Sequence, residues 1–258
     1  MMTAENSAPV QTPLLMEICV DSPAGLRAAI AGGADRIELC AALDVGGLTP
    51  SPGLLQLAGR ISVPVRAMIR PRAGDFVYDA VEQDVMLHEI DAARAAGLAG
   101  VVIGALTRTG ELDLVVLKRL VAHAAGLDVT LSRAVDLLPD LVVAVDVAVD
   151  LGIATILTSG GALKAYDGIA TIAAMQARAA GRVEILPGSG INAANVRAIL
   201  DGAGVRSVHA SCGGLVDTTD ARSVSMGFVH AQRRETDQSL VENLRAAMGH
   251  CPQIHSAP

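Results

Sequence analysis

Two kinds of segment alternate along this chain. Short apolar runs rich in Val, Ile and Leu are each followed by a longer stretch whose apolar residues recur at helical spacing. The runs predict strands at Leu15–Val20, Arg36–Cys40, Val65–Arg70, Gly100–Gly104, Asp128–Ser132, Thr155–Thr158, Val183–Leu186 and Ser207–Ala210. The stretches predict helices at Pro23–Ala31, Pro52–Arg60, Val81–Ala96, Leu114–Ala124, Asp140–Leu151, Tyr166–Ala179, Ala193–Leu200 and Gln238–Met248. Glycines stand where most of these helices should end: Gly32-Gly33, Gly97, Gly126, Gly152, Gly181 and Gly202. Asn192 is placed to cap the helix expected from Ala193.

Strand–helix units repeated without a break in composition predict one α/β domain, a single (β/α)8 TIM barrel spanning 14–250. Residues 1–13 read as a disordered leader and 251–258 as a flexible tail. The turn after the first strand, Val20-Asp21-Ser22-Pro23-Ala24-Gly25, lacks a Gly-x-Gly-x-x-Gly fingerprint, so a dinucleotide fold is not expected. The stretch Ser211–Asp237 has no clear period. It follows the last strand, on the face where barrels place their active sites, and suggests a lid or a subunit contact.

Composition narrows the function. Half of the 258 residues are hydrophobic but only 2% are aromatic, so the core must be aliphatic. A net charge of −7 with no long basic run excludes nucleic acid as an expected partner. The most apolar span, Leu141–Leu157, is broken by Asp146 and Asp150, so no membrane span is expected, and the leader has no apolar signal core. Four dispersed cysteines without CxxC spacing suit reduced thiols in the cytoplasm.

The candidate chemistry follows from strand alternation. Glu17, Cys19 and Asp21 share one face of the first strand, Glu38 and Cys40 of the second, Arg66, Met68 and Arg70 of the third, and His209 and Ser211 of the eighth. Buried charges persist only when paired, so Glu17, Glu38 and Arg66 are expected to neutralise one another deep in the barrel. Arg70 and Arg72, at a strand end stopped by Pro71, could clamp a carboxylate or phosphate. The loops Thr158-Ser159-Gly160-Gly161 and Pro187-Gly188-Ser189-Gly190 could offer N–H donors to the same anion. Glu17, Glu38, Asp136 and His209 are the acid–base candidates. Cys19 and Cys40, on adjacent strands, could hold Cu(I) with Met68 or His209 nearby.

These residues carry a resemblance. The segments 17–22 (Glu-Ile-Cys-Val-Asp-Ser), 32–40 (Gly-Gly-Ala-Asp-Arg-Ile-Glu-Leu-Cys), 46–51 (Gly-Gly-Leu-Thr-Pro-Ser) and 68–72 (Met-Ile-Arg-Pro-Arg) are joined by Gly74-Asp75-Phe76, 157–161 (Leu-Thr-Ser-Gly-Gly) and His209-Ala210-Ser211. Together, and in this order, they resemble the CutC copper-homeostasis family from about Leu15 to about Met248. The resemblance implies a cytoplasmic TIM barrel and copper binding. Two positions depart from the family's pattern: Val45 stands where it usually has Glu, and Ser132 where it usually has His. The alternative to copper handling is a barrel enzyme or sensor for a small phosphorylated or carboxylated metabolite. A homo-oligomer is expected in either case.

Overall fold

A computed structural model describes residues 13–249. The expected leader (apart from Pro13), His250 and the expected tail lie outside them. Parallel strands β1 (Leu15–Val20), β2 (Arg36–Leu39), β3 (Val65–Met68), β4 (Gly100–Ile103), β5 (Asp128–Leu131), β6 (Thr155–Thr158), β7 (Glu184–Pro187) and β8 (Ser207–Ala210) form one sheet in the order β7-β6-β5-β4-β3-β2-β1-β8. A parallel bridge between Gly188 and His209 joins the two outer strands and nearly closes a barrel. The surrounding helices are α1 (Pro23–Ala31), α2 (Pro52–Ala58), α3 (Ala80–Ala95), α4 (Leu114–His123), α5 (Leu141–Asp150), α6 (Ile169–Ala179) and α7 (Val196–Ala203). This is the expected α/β TIM barrel. Among the described residues no helix is long and apolar enough to cross a membrane.

Local chemistry sets where the helices start. Ser22 accepts a hydrogen bond from Gly25 N while Pro23 opens α1 with its φ already fixed. Asp79 and Glu82 form a reciprocal capping box at α3. Two expectations fail at α7. Asn192 accepts from Ala194 N and its own N–H donates to Asn195, so these two residues close a turn and the helix begins only at Val196. Gly202 lies inside α7, where a Cβ would come 2.9 Å from the Ile169 side chain, and the left-handed end falls on Gly204.

The strands divide the molecule into an apolar jacket and a charged interior. Met16, Ile18 and Val20 of β1, Ile37 and Leu39 of β2, and Val65 and Ala67 of β3 face outward and pack against Leu26, Leu55, Met86 and Ile90 of the helices. The alternate row points inward and is polar: Glu17, Arg36, Glu38, Arg66, Thr130, Thr155 and His209 are all buried. Arg66 donates to Thr130 (2.8 Å) and Thr155 (2.9 Å) and pairs with Asp128 at 3.2 Å. It therefore does not neutralise Glu17 or Glu38, as the sequence suggested. It reaches across the barrel past Gly100, whose position leaves no space for a side chain.

After β8 the chain makes an antiparallel ribbon, β9 (Gly213–Asp217) and β10 (Gln232–Thr236), around a short helix α8 (Ala221–Ser225). Helix α9 (Gln238–Met248) then packs back on the barrel through Val241, Leu244 and Met248. A largely exposed ribbon has no apolar row to bury, which is why Ser211–Asp237 shows no period in the sequence.

A Cβ on Gly100 would sit 2.5 Å from Asp128 O and 3.1 Å from Arg66 Cγ. Gly100→Ala should therefore lower stability by about 1–3 kcal/mol, read by urea denaturation; an unchanged midpoint would show that the interior yields freely.

Candidate functional site at the barrel mouth

A chain of paired side chains runs through the interior to the C-terminal ends of the strands. Glu184 accepts from Thr155 (2.8 Å) and from Arg36 (3.2 Å). Arg36 Nε donates to Glu17 Oε2, and Glu17 Oε1 is 2.7 Å from His209 Nδ1. This contact leaves His209 Nε2 facing Glu38 Oε2 at 3.5 Å. Register explains the grouping: Glu17 lies beside both Arg36 and His209, and Cys19 lies beside Glu38. Ligand atoms of Cys19, Glu38 and His209 all come within 4.8 Å of one another, and all three residues are buried.

The charges of this cluster are mutually fixed. Burial alone would raise the Glu17 carboxyl, but the His209 hydrogen bond and the Arg36 charge outweigh it and bring it down to about 2. Burial would lower His209, yet the neighbouring Cys19 and Glu38 and the hydrogen bond to Glu17 raise it well above the ordinary imidazole range. Burial pushes Glu38 upward. Its Oε1 has no hydrogen-bond partner among the described residues, and the Cys40 thiol is a weak donor beside the carboxyl.

The other sequence-predicted residues are distributed differently. Cys40 is not beside Cys19, because Cys19 pairs with Glu38 and Cys40 lies two residues further along. It is fully buried with Met68 and Val102, and burial lifts its thiol well above the usual range. Arg70 does not point free donors at a ligand. Its guanidinium donates to Val45 O (2.9 Å), Gly47 O (3.1 Å) and Gly74 O (2.8 Å) and stacks on Phe76, so it clamps two loops. Arg72 is likewise engaged by Glu82, Asp75 and Val77 O. Asp136 accepts from Thr158 Oγ1 (2.5 Å), Ser159 N (3.0 Å), Ser159 Oγ (2.8 Å) and Gly161 N (3.2 Å), while Gly160 N donates to Thr158. The Ser159-Gly160-Gly161 loop thus already holds the protein's own carboxylate.

Gly188 packs on His209 and Leu157, where an added Cβ would come 3.2 Å and 2.7 Å from their side chains, and Ser189 and Gly190 line the cavity above it. That cavity measures about 560 Å³, and Cys19, Glu38 and His209 are among the residues that line it. Val45 and Ser132 also line it. The Ser132 hydroxyl accepts from Ala134 N at 3.3 Å and caps a 3-10 turn, Arg133–Leu137. Sequence reasoning missed Arg36 and Glu184. Arg36 has the same strand parity as Glu38, which was signal enough. Glu184 sits at the start of its strand, where parity was harder to anchor.

In the metal-free protein, Glu17 should contribute roughly 3 kcal/mol of stability above its unfolded pKa of about 4.5. That contribution is lost as pH falls through the folded value of about 2. Glu17→Gln should therefore flatten the stability profile between pH 4.5 and 2, measured by denaturant unfolding. A slope equal to that of the native protein would refute the pairing.

Comparison with known proteins agrees with this fold. The CutC family profile matches residues 14–214. A CutC family protein of Sinorhizobium medicae is 52% identical over 235 residues, covering 91% of this chain and 96% of its own. One from Caulobacter vibrioides is 50% identical over 230 residues, covering 88% and 94%. The crystal structure of a Streptococcus agalactiae CutC, named for copper homeostasis, superposes with a TM-score of 0.74 at 32% identity, over 77% of this chain and 98% of that one. This chain belongs to the CutC family.

Proposed function

We propose that this protein serves copper homeostasis by binding Cu(I) between Cys19 and His209 at the barrel mouth, with Glu38 as a third donor. The observation that supports this reading is the convergence of the three ligand atoms within 4.8 Å, with His209 Nδ1 held by Glu17 at 2.7 Å. A carboxylate on the far imidazole nitrogen is the usual support of a metal-ligating histidine, since it fixes the ring and raises the basicity of the other nitrogen. A thiolate and an imidazole suit a soft monovalent ion. Arg70 directs its Nη donors at the carbonyl groups of Val45, Gly47 and Gly74. Free Cys19, Cys40 and Cys212 support a cytoplasmic setting where thiols stay reduced.

A second reading draws support from size. A bare ion does not need a cavity of about 560 Å³ above it. That space is within the range of small-molecule sites, which favours an enzyme or sensor for a small anionic metabolite as the alternative.

Competition against a chromogenic Cu(I) chelator checks the copper reading. Cys19→Ala and His209→Ala should each weaken binding by more than about 100-fold, and Glu17→Gln by about 10–100-fold. Cys40→Ala should have a smaller effect than any of them. Native affinity in Cys19→Ala would reject the site.

A further inference from the structure

The cavity above the Cys19–Glu38–His209 cluster has donors that copper would not use. The loop after β7 turns through two consecutive left-handed residues, Ser189 (φ 86°) and Gly190 (φ 69°). The backbone N–H groups of Gly190 and Ile191 donate to nothing among the described residues, whereas the Gly188–His209 bridge turns the Ser189 N–H toward His209 O; all three residues line the cavity. Successive N–H groups in such a turn form a concavity that accepts anions. The loop after β6 is the opposite case, since Asp136 fills it.

Two arginines line the same cavity with donors to spare. Arg234 Nη1 donates to Gly213 O at 2.9 Å, which leaves Nε and Nη2 uncommitted. Arg133 uses Nε on Asp136 and Nη2 on Ser159, which leaves Nη1 uncommitted. The nearby carboxylate Glu235 is engaged by Arg233 at 2.7 Å. The same cavity is also lined by Glu38, only 3% exposed, whose Oε1 has no donor. A ligand that satisfies both the arginines and Glu38 needs an anionic group and a hydroxyl.

We propose that the barrel mouth binds a small hydroxylated phosphate monoester. The phosphate lies on the Gly190 and Ile191 N–H groups and is charge-paired by Arg234, with Arg133 completing the rim; a ligand hydroxyl donates to Glu38 Oε1. Two N–H groups and two guanidinium groups match the three terminal oxygens of a phosphate better than the two of a carboxylate. This inference replaces Arg70 and Arg72 as anion-recognition residues, and it does not depend on the copper reading.

Isothermal titration of metal-free protein with glycerol 3-phosphate tests it. The expected Kd is about 1 mM or tighter. Arg234→Ala, a change at an exposed side chain, should weaken binding by about tenfold or more. Glu38→Gln should weaken glycerol 3-phosphate while leaving the weaker binding of inorganic phosphate unchanged. Cys19→Ala should bind glycerol 3-phosphate like the native protein, so loss of copper binding and loss of anion binding are separable. Absence of glycerol 3-phosphate binding, or equal binding by native protein and Arg234→Ala, would overturn the proposal. Inorganic phosphate or glycerate binding as tightly as glycerol 3-phosphate would overturn the assigned ligand class.

Discussion

A carboxylate with no access to water sits near the middle of this barrel, and the site is built on it. Glu17 is tolerable there only because Arg36 donates to one oxygen and His209 to the other. Removing either partner would leave an uncompensated buried charge. The pairing also orients His209. Its Nδ1 is committed to Glu17, so the other nitrogen faces Cys19 and Glu38. One ion-paired carboxylate thus links the strand register, the stability of the interior and the direction of the functional imidazole.

That arrangement places unlike demands on the two sides of the same strands. The outward rows are aliphatic and make the core with the helices. The inward rows hold charges that must all find partners. Arg36 joins Glu17 to Glu184, and Arg66 joins Asp128 to Thr130 and Thr155, so the deep interior is closed by its own pairs. Toward the mouth a buried carboxylate oxygen, Glu38 Oε1, is left without a donor. An unmet acceptor next to a thiol and an imidazole is what the proposed ligand site rests on. The loops around the mouth repeat the contrast. After β6 the N–H donors of Ser159 and Gly161 are spent on Asp136, whereas after β7 those of Gly190 and Ile191 are open.

Much of the fold was legible because it depends on local pattern. The apolar runs gave β1, β6 and β8 to the residue, and α1 and α9 likewise, since Ser22-Pro23 and the 3.6-residue period fix them. The ribbon β9–β10 was invisible as structure because both its faces are mostly polar. The site was legible by residue type but not by partnership. Alternation put Glu17, Glu38 and His209 on inward faces. It could not say that Cys19 neighbours Glu38 and not Cys40, because register between strands is set by packing across the whole barrel. Nor could it say that Arg70 would turn back to its own loops, since three carbonyl groups brought together by the fold outcompete solvent for its donors. Strand–helix alternation carried the fold and the resemblance to the CutC family carried the family; the partner of each charge depended on how the strands pack.

The measurement that bears most directly on the account is X-ray absorption spectroscopy of the protein loaded with one equivalent of Cu(I) under reducing conditions. The account predicts a first shell with a single sulfur, from Cys19, and an imidazole nitrogen, from His209, whose multiple-scattering signature disappears in His209→Ala. A shell of two sulfurs without imidazole would place the ion between Cys19 and Cys40 and contradict it.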